Sequence, residues 1–337
     1  MKPRDRLDRP LRDLRISVTD RCNLRCPYCM PREVFGVGHE FLPRAELLSF
    51  EEIARIAQVA AAQGVSKLRL TGGEPLLRRG LERLVEMLAA IDGIEDLALT
   101  TNGLLLSRRA RDLAAAGLDR VTVSLDALDE GILRSMSDAP VSPARILEGI
   151  DAAQAVGLGP VKVNMVVRRG FNDGQVLAMA EHFRDRGQIL RFIEYMDVGS
   201  TNGWRRDEVV AATEILETIA NRWPLEPLAG AHVGEVATRY RYLDGAGEIG
   251  LIHSVSSPFC GDCSRARLSA DGRLFTCLFA RQGHDLRGLL RSGADDGALA
   301  ARLHDVWGAR SDRYSALRLE EGEPVAEPKV EMSFIGG

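Results

Sequence analysis

The sequence predicts an α/β fold: about six strand–helix units that build a curved parallel sheet or barrel, with a smaller C-terminal α+β region closing over one end. Three observations carry this expectation. Up to about residue 195, short β-rich runs alternate with helical patterns. Within the runs, apolar and polar residues alternate. After about residue 235 the texture changes to short strands that follow one another directly.

The β-rich runs are LRISVTD (within 11–20), KLRLTGG (67–73), DLALTTNG (96–103), DRVTVSLD (119–126), PVKVNMVV (160–167) and ILRFIEYM (189–196). Between them lie helical patterns such as SFEEIARIAQVAAAQG (49–64), RRGLERLVEMLAAIDG (78–93) and SRRARDLAAAGL (107–118). Ser49 and Glu52 have capping-box spacing, and Gly64 suits a helix stop. Repeated strand–helix units argue for a parallel sheet with helices outside it. No phosphate-binding or dinucleotide glycine motif falls in register with these strands. Further on, EVATRYRYL, EIGLIHSV and RARLSADGRLFTCLF read as strands, the last a hairpin turning at Asp271-Gly272. Two helical patterns follow, near 284–291 and 296–308. The expected division is a barrel over 1–235 and a C-terminal region over 236–337, with the latter smaller, antiparallel and closing over one end.

Strands covered on both faces usually read as continuous apolar runs. These do not. Leu14, Ile16 and Val18 share one face, and Arg15, Ser17 and Thr19 the other. Leu68 and Leu70 oppose Lys67, Arg69 and Thr71; Leu97 and Leu99 oppose Thr100 and Asn102. Val121, Val123 and Leu125 oppose Thr122, Ser124 and Asp126; Val161, Val163 and Met165 oppose Lys162 and Asn164. The apolar faces are expected to meet the helices, so the polar set lines the inside of a curved sheet. Arg15, Arg69, Lys162 and Arg191 either reach solvent at strand ends, pair with Asp126 and Glu194, or surround a water-accessible cavity that binds a polyanion. The third arrangement accounts for all four at once, since buried cations without partners are costly. Arg265 and Arg267 stand two apart on a strand, hence on one face, and are expected to close the same site from above.

The chain has 337 residues, 45% apolar and 27% charged, with a formal net charge of −4. That balance excludes a nucleic-acid binder relying on overall positive charge. No apolar run of 18 or more residues occurs, so no membrane helix is expected. MKPRDRLDRPLRDLR is basic with no apolar stretch after it, unlike a secretory signal. The expected location is the cytoplasm, where cysteines serve metals or catalysis rather than disulfides.

All six cysteines fall into two triplets. TDRCNLRCPYCMP holds Cys22, Cys26 and Cys29; SPFCGDCSRARLSADGRLFTCLF holds Cys260, Cys263 and Cys277. A structural zinc site wants four ligands, usually from two close pairs. A shared zinc site with spare thiols remains one reading. A cubane iron–sulfur cluster held by three thiolates, with one iron left open to a small molecule, accounts for both triplets with one idea.

The C-x-x-x-C-x-x-C spacing followed by a strand ending in TGGEP (71–75) resembles the radical S-adenosylmethionine superfamily. CNLRCPYCMP, LRLTGGEPLLR, LTTNG, RFIEYMDVG, CGDCSRARLSADGRLFTCLF and the terminal Gly-Gly further resemble the GTP 3′,8-cyclase family of molybdenum cofactor biosynthesis, over roughly 11–337. Leu24 stands where an aromatic residue is common. The resemblance implies an incomplete (partial) TIM-type barrel. It implies a [4Fe-4S] cluster on Cys22, Cys26 and Cys29, whose open iron binds S-adenosylmethionine. A second [4Fe-4S] cluster is implied on Cys260, Cys263 and Cys277, with its open iron toward the guanine of GTP. Tyr28, Gly72, Gly73, Glu74, Ser124 and Met196 are implied to bind S-adenosylmethionine, and Arg15, Arg69, Thr100, Lys162, Arg265 and Arg267 to bind GTP. Arg265, Arg267, Gly336 and Gly337 are implied to be catalytic; read from sequence alone, the last two are an ordinary mobile end.

The implied reaction is reductive cleavage of S-adenosylmethionine, removal of hydrogen from ribose C3′ of GTP, and attack of C3′ on guanine C8. The product is (8S)-3′,8-cyclo-7,8-dihydroguanosine 5′-triphosphate, and the enzyme is classed as a lyase. Implied partners are a one-electron donor such as flavodoxin or ferredoxin, and cyclic pyranopterin monophosphate synthase, which takes the product. Neither nucleic acid nor membrane is expected as a partner, and the chain is expected to be a monomer or homodimer. The alternative is a radical S-adenosylmethionine peptide-modifying enzyme with an auxiliary cluster; such enzymes usually have more C-terminal cysteines.

Overall fold

In the computed structural model, which describes residues 2–230, 234–321 and 328–337, the six runs become β1 (Asp13–Ser17), β2 (Lys67–Thr71), β3 (Asp96–Thr101), β4 (Arg120–Ser124), β5 (Lys162–Val167) and β6 (Ile189–Glu194). They lie side by side in that order, each parallel to the next. Leu14, Leu68, Leu70, Leu99 and Val121 are fully buried in one continuous core under the helices. Burying each such side chain is worth roughly 1.5–3 kcal/mol, which fixes the strand parity firmly.

The helices follow their sequence signals. Helix Phe50–Ala62 starts at a complete capping box: Glu52 N donates to Ser49 Oγ at 3.1 Å, and Ser49 N donates to Glu52 Oε2 at 2.7 Å. Ile53, Ile56, Ala57 and Ala60, on one helical face, enter the core. Gly64 follows the helix at φ +109°.

The C-terminal strands are where the structure refines the expectation. After β7 (Leu225–Leu228) come β8 (Thr238–Tyr242), β9 (Glu248–Ile252), β10 (Arg265–Leu268), β11 (Arg273–Phe275) and β12 (His284–Asp285). Rather than covering one end as a separate antiparallel layer, they extend the same sheet at both edges. β9 pairs parallel with β6, and β10 pairs parallel with β1. Antiparallel pairing begins only outside these two joins. Among the described residues the sheet has twelve strands, with β12 and β7 at its ends, and it does not close. The 265–279 hairpin turns at Asp271-Gly272 as expected. The pattern near 284–291 splits, because His284 and Asp285 pair with β11 and the helix runs Arg287–Arg291.

Candidate active site

Parallel register sets the polar residues in rows. Arg267, Arg15 and Arg69 are direct neighbours across β10, β1 and β2. Thr100, Thr122 and Lys162 align across β3, β4 and β5, and Asn164 faces Arg191 across β5 and β6. Because side chains alternate, each row shares the face opposite the leucines. That face lines a cavity of about 620 Å³. Arg265 and Arg267 enter it from the flanking strand β10 rather than from above, because β10 joins the sheet beside β1. Ala266 and Leu268 between and after them are buried in the core.

The carboxylates proposed as structural partners are taken elsewhere. Asp126 accepts from Tyr28 Oη at 2.6 Å and Val166 N at 2.9 Å. Glu194 accepts from Ala212 N, Val255 N and Ser256 N at 2.7–2.8 Å. Asp96 pairs with Lys67 at 3.0 Å and with Arg120 at 2.6 Å. Among the described residues, Arg15, Arg69, Lys162, Arg191, Arg265 and Arg267 form no ion pair with a carboxylate; Asp13 and Glu235 act on some of them only at longer range. Arg69 Nη1 donates to Thr100 Oγ1 at 3.0 Å and Thr122 Oγ1 at 3.2 Å. Arg191 Nε donates to Asn164 Oδ1 at 2.9 Å. Nε of Arg15 and Nε of Arg69 are buried without a partner.

Crowding shows in the protonation energetics. Burial, then neighbouring cations, lowers Lys162 to about 7. The same causes bring Arg69 to about 10, and Arg191 and Arg267 to about 9. Arg15 is lowered too, chiefly by burial. A multiply charged anion would relieve all of these at once.

All six cysteines are free and half-buried, and all line this same cavity. Cys22, Cys26 and Cys29 lie on the loop beyond β1, the customary ligand end of a parallel sheet. Cys29 N and Met30 N both donate to Cys26 O, at 2.9 and 2.8 Å, coiling the segment tightly. Burial raises Cys22 to about 11 and Cys29 to about 12, and raises Cys26 as well. Protons are retained there until a metal displaces them. Cys260 and Cys263 share one turn before β10, and Cys277 follows β11. Burial raises Cys277 to about 12; Cys263, also disfavoured by burial, is held at about 7 because Arg265 and Arg310 outweigh it. Among the described residues, no three His, Cys, Asp or Glu side chains converge closely enough to hold a single ion. A cubane cluster would give each thiolate its own iron and so needs only three of them, whereas a structural zinc site takes four ligands.

The TGGEP turn packs beneath the first triplet. Gly73 N donates to Thr19 O at 2.8 Å, and Glu74 N to Arg21 O at 2.8 Å. A Cβ on Gly72, where φ is +151°, would lie 2.5 Å from Thr19 O, and one on Gly73 would lie 2.3 Å from Arg21 O. Only glycine fits either place. Glu74 is fully buried with both oxygens occupied, accepting from Thr101 Oγ1, Leu76 N and Asn102 N at 2.8–2.9 Å. It therefore positions the TTNG loop, and Asn102 in turn reaches Asn23 beside Cys22 at 2.8 Å. Tyr28, Ser124 and Met196 line the same cavity. At the chain's other end, Gly336 is buried, Gly337 lines the cavity, and Arg267 Nε donates to Gly336 O at 3.1 Å.

Sequence reasoning missed Asp13 and Asp96, although their parity matched Arg15 and Thr100. It also missed the Tyr28–Asp126 bond and the buried Arg9 and Arg310, which touch the second cysteine turn from residues far away in sequence.

Comparison with known proteins gives the same direction. Residues 16–183 match the family model described as Radical SAM superfamily, and residues 188–316 the model described as Molybdenum Cofactor Synthesis C. A GTP 3′,8-cyclase of Acidothermus cellulolyticus is 56% identical, covering 99% of both chains. One from Xanthomonas axonopodis pv. citri is 52% identical, over 99% of this chain and 98% of that one. The chain belongs to the GTP 3′,8-cyclase family. As a radical S-adenosylmethionine protein, a member of this family uses a [4Fe-4S] cluster and S-adenosylmethionine. The fold is shared with Streptococcus suis SuiB, solved bound to S-adenosylmethionine: the TM-score is 0.62 at 16% identity, covering 91% of this chain and 68% of that one. No helix among the described residues is long and apolar enough to cross a membrane.

Proposed function

We propose that this protein converts GTP into (8S)-3′,8-cyclo-7,8-dihydroguanosine 5′-triphosphate, the opening step of molybdenum cofactor biosynthesis. The observation that carries the reading is one cavity lined by both cysteine triplets and by Arg15, Arg69, Lys162, Arg191, Arg265 and Arg267, which form no ion pair among the described residues. Cys22, Cys26 and Cys29 would hold a [4Fe-4S] cluster, which would supply the electron for reductive cleavage of S-adenosylmethionine. Tyr28, Gly72, Gly73, Ser124 and Met196 bind S-adenosylmethionine, with Glu74 setting the turn and Asp126 fixing the Tyr28 ring. Cys260, Cys263 and Cys277 would hold a second [4Fe-4S] cluster, which would supply an open iron for the base of GTP. Arg15, Arg69, Thr100, Lys162, Arg265 and Arg267 bind GTP, their charge neutralised by the triphosphate. Held this way, ribose C3′ and guanine C8 stay in register away from bulk water. Gly336 and Gly337 close the cavity beside Arg267. A flavodoxin or ferredoxin supplies the electron, and cyclic pyranopterin monophosphate synthase takes the product.

The test is anaerobic turnover of the reconstituted protein with GTP, S-adenosylmethionine and a strong reductant. The reading requires the cyclised nucleotide by mass spectrometry, with 5′-deoxyadenosine formed alongside it. Deoxyadenosine without any change in GTP would contradict it.

A further inference from the structure

Beneath the second cysteine triplet lies a buried ionic cluster that the proposed reaction does not use. Its hub is Asp5, whose side chain is 0% exposed. Asp5 Oδ2 accepts from Arg9 Nε at 2.6 Å and from Arg310 Nη1 at 3.2 Å. Both arginine side chains are 2% exposed. Each guanidinium also reaches the cysteine turn: Arg9 Nη1 donates to Cys260 O at 2.6 Å, and Arg310 Nη1 to Cys263 O at 2.7 Å. Arg9 Nη1 donates to Asp312 O at 2.9 Å as well. Asp312 Oδ2 accepts from Thr276 Oγ1 at 2.5 Å, next to Cys277. Trp307 secures the base, its Nε1 donating to Arg9 O at 2.9 Å and its ring lying under Arg310 at 4.5 Å.

Every cysteine of this triplet is thus tied, directly or through its neighbour, to one cluster, in which Asp5, Arg9 and Arg310 are buried and Asp312 is half-buried. Two further facts indicate more than packing. Arg9 Nη2 and Arg310 Nε are buried donors without a hydrogen-bond acceptor, although Arg310 Nε lies 3.4 Å from Asp312 Oδ2. Arg310 also lines the cavity with Cys263 and Cys277. Buried N–H donors beside thiolates and sulfides hold ligands in place, and fixed positive charge favours the reduced, more negative state of a cluster.

We propose that Asp5, Arg9, Arg310 and Asp312 form a bracket that presets the second triplet and selectively tunes the retention and potential of its cluster. The inference rests on the two-cluster reading. These are positioning residues, acting through the cysteine turn and through charge. Loss of Arg310 removes a fixed positive charge beside Cys263 and leaves Asp312 without its cation, while Asp5 keeps Arg9, so reduction becomes harder.

The test compares wild type, Arg310→Gln and Arg310→Lys as anaerobically reconstituted holoproteins. Iron is counted before and after a chelator challenge, potentials are followed by electron paramagnetic resonance, and unfolding is followed thermally. The first cluster serves as the internal control. Arg310→Gln should lose the second cluster at least several-fold faster than the first, and whatever remains should titrate at a lower potential. Arg310→Lys should restore most of the potential but only part of the retention, since it keeps the charge and loses the planar fork. Equal loss of both clusters in step with thermal stability would refute the bracket. So would a wild-type potential and retention in Arg310→Gln. Only one cluster in wild type would instead remove the two-cluster reading and, with it, the bracket's role.

Discussion

Arg267 Nε donates to the backbone oxygen of Gly336 at 3.1 Å, tying the chain's last turn to the strand that leaves the second cysteine pair. Gly336 sits at φ +78°, and a Cβ there would lie 2.2 Å from Thr71 Cγ2. Gly336→Ala therefore meets both left-handed strain of about 1–2 kcal/mol and a clash with the cavity wall. The tail should leave the site while both clusters stay. Product formation should fall about tenfold or more, as each 1.4 kcal/mol of lost positioning costs a factor of ten. Removal of both terminal glycines should act in the same direction. Steady-state turnover beside iron content checks this; unchanged turnover would make the tail an ordinary chain end.

Arg69 donates to the Thr100 and Thr122 hydroxyls, and among the described residues neither it nor Lys162 forms an ion pair, so a triphosphate is their natural counter-ion. Charge-assisted contacts are worth roughly 1.5–3 kcal/mol each. Arg69→Ala and Lys162→Ala should each weaken GTP binding by about ten- to a hundredfold, with both clusters retained. Thermal stability should fall little, because each change also relieves cation crowding. Anaerobic equilibrium dialysis with a thermal melt decides the matter; wild-type affinity with a large stability loss would make the pair structural.

Lys162 also predicts a pH signature. Burial and neighbouring cations lower it from 10.5 to about 7 in the folded chain. Between those values the unfolded chain binds more protons than the folded one, so this group's contribution to stability grows as pH rises. A bound triphosphate reverses the shift by favouring the charged amine. GTP binding at pH 8 should then take up close to one proton, and affinity should fall as pH rises above about 7. Calorimetry in buffers of different ionisation enthalpy measures the uptake, which Lys162→Ala should abolish.

The two triplets should fail differently. Cys22→Ser should abolish S-adenosylmethionine cleavage. Cys277→Ser should keep some uncoupled cleavage to 5′-deoxyadenosine and make no cyclised nucleotide. Chromatographic assay of both products separates the cases, and loss of the same step in both variants would mean that the triplets do not divide the work.

Much of this site was legible because strand parity is a strong constraint. Arg15, Arg69 and Lys162 alternate with leucines or valines that must face the core, so their direction followed from the sequence. The cysteine spacing likewise singled out two triplets, and all six thiols line the cavity. What stayed hidden depends on contacts distant in sequence. Nothing local in RARL says that it pairs parallel with β1, which joins the C-terminal region to the barrel edge. Asp5, Arg9 and Arg310 carry no spacing signal, since they meet only once the fold is complete. Glu74 sits in a recognisable motif, yet its full occupation by Thr101, Leu76 and Asn102 required the folded turn.

The central claim is that one cavity holds two cubane clusters, each on three cysteines. Iron, zinc and labile sulfide should be counted on anaerobically reconstituted protein. The account predicts about eight irons and eight sulfides per chain, with no stoichiometric zinc. About four irons with one zinc per chain would contradict it, because one triplet would then be a structural metal site and the cavity would face a single cluster.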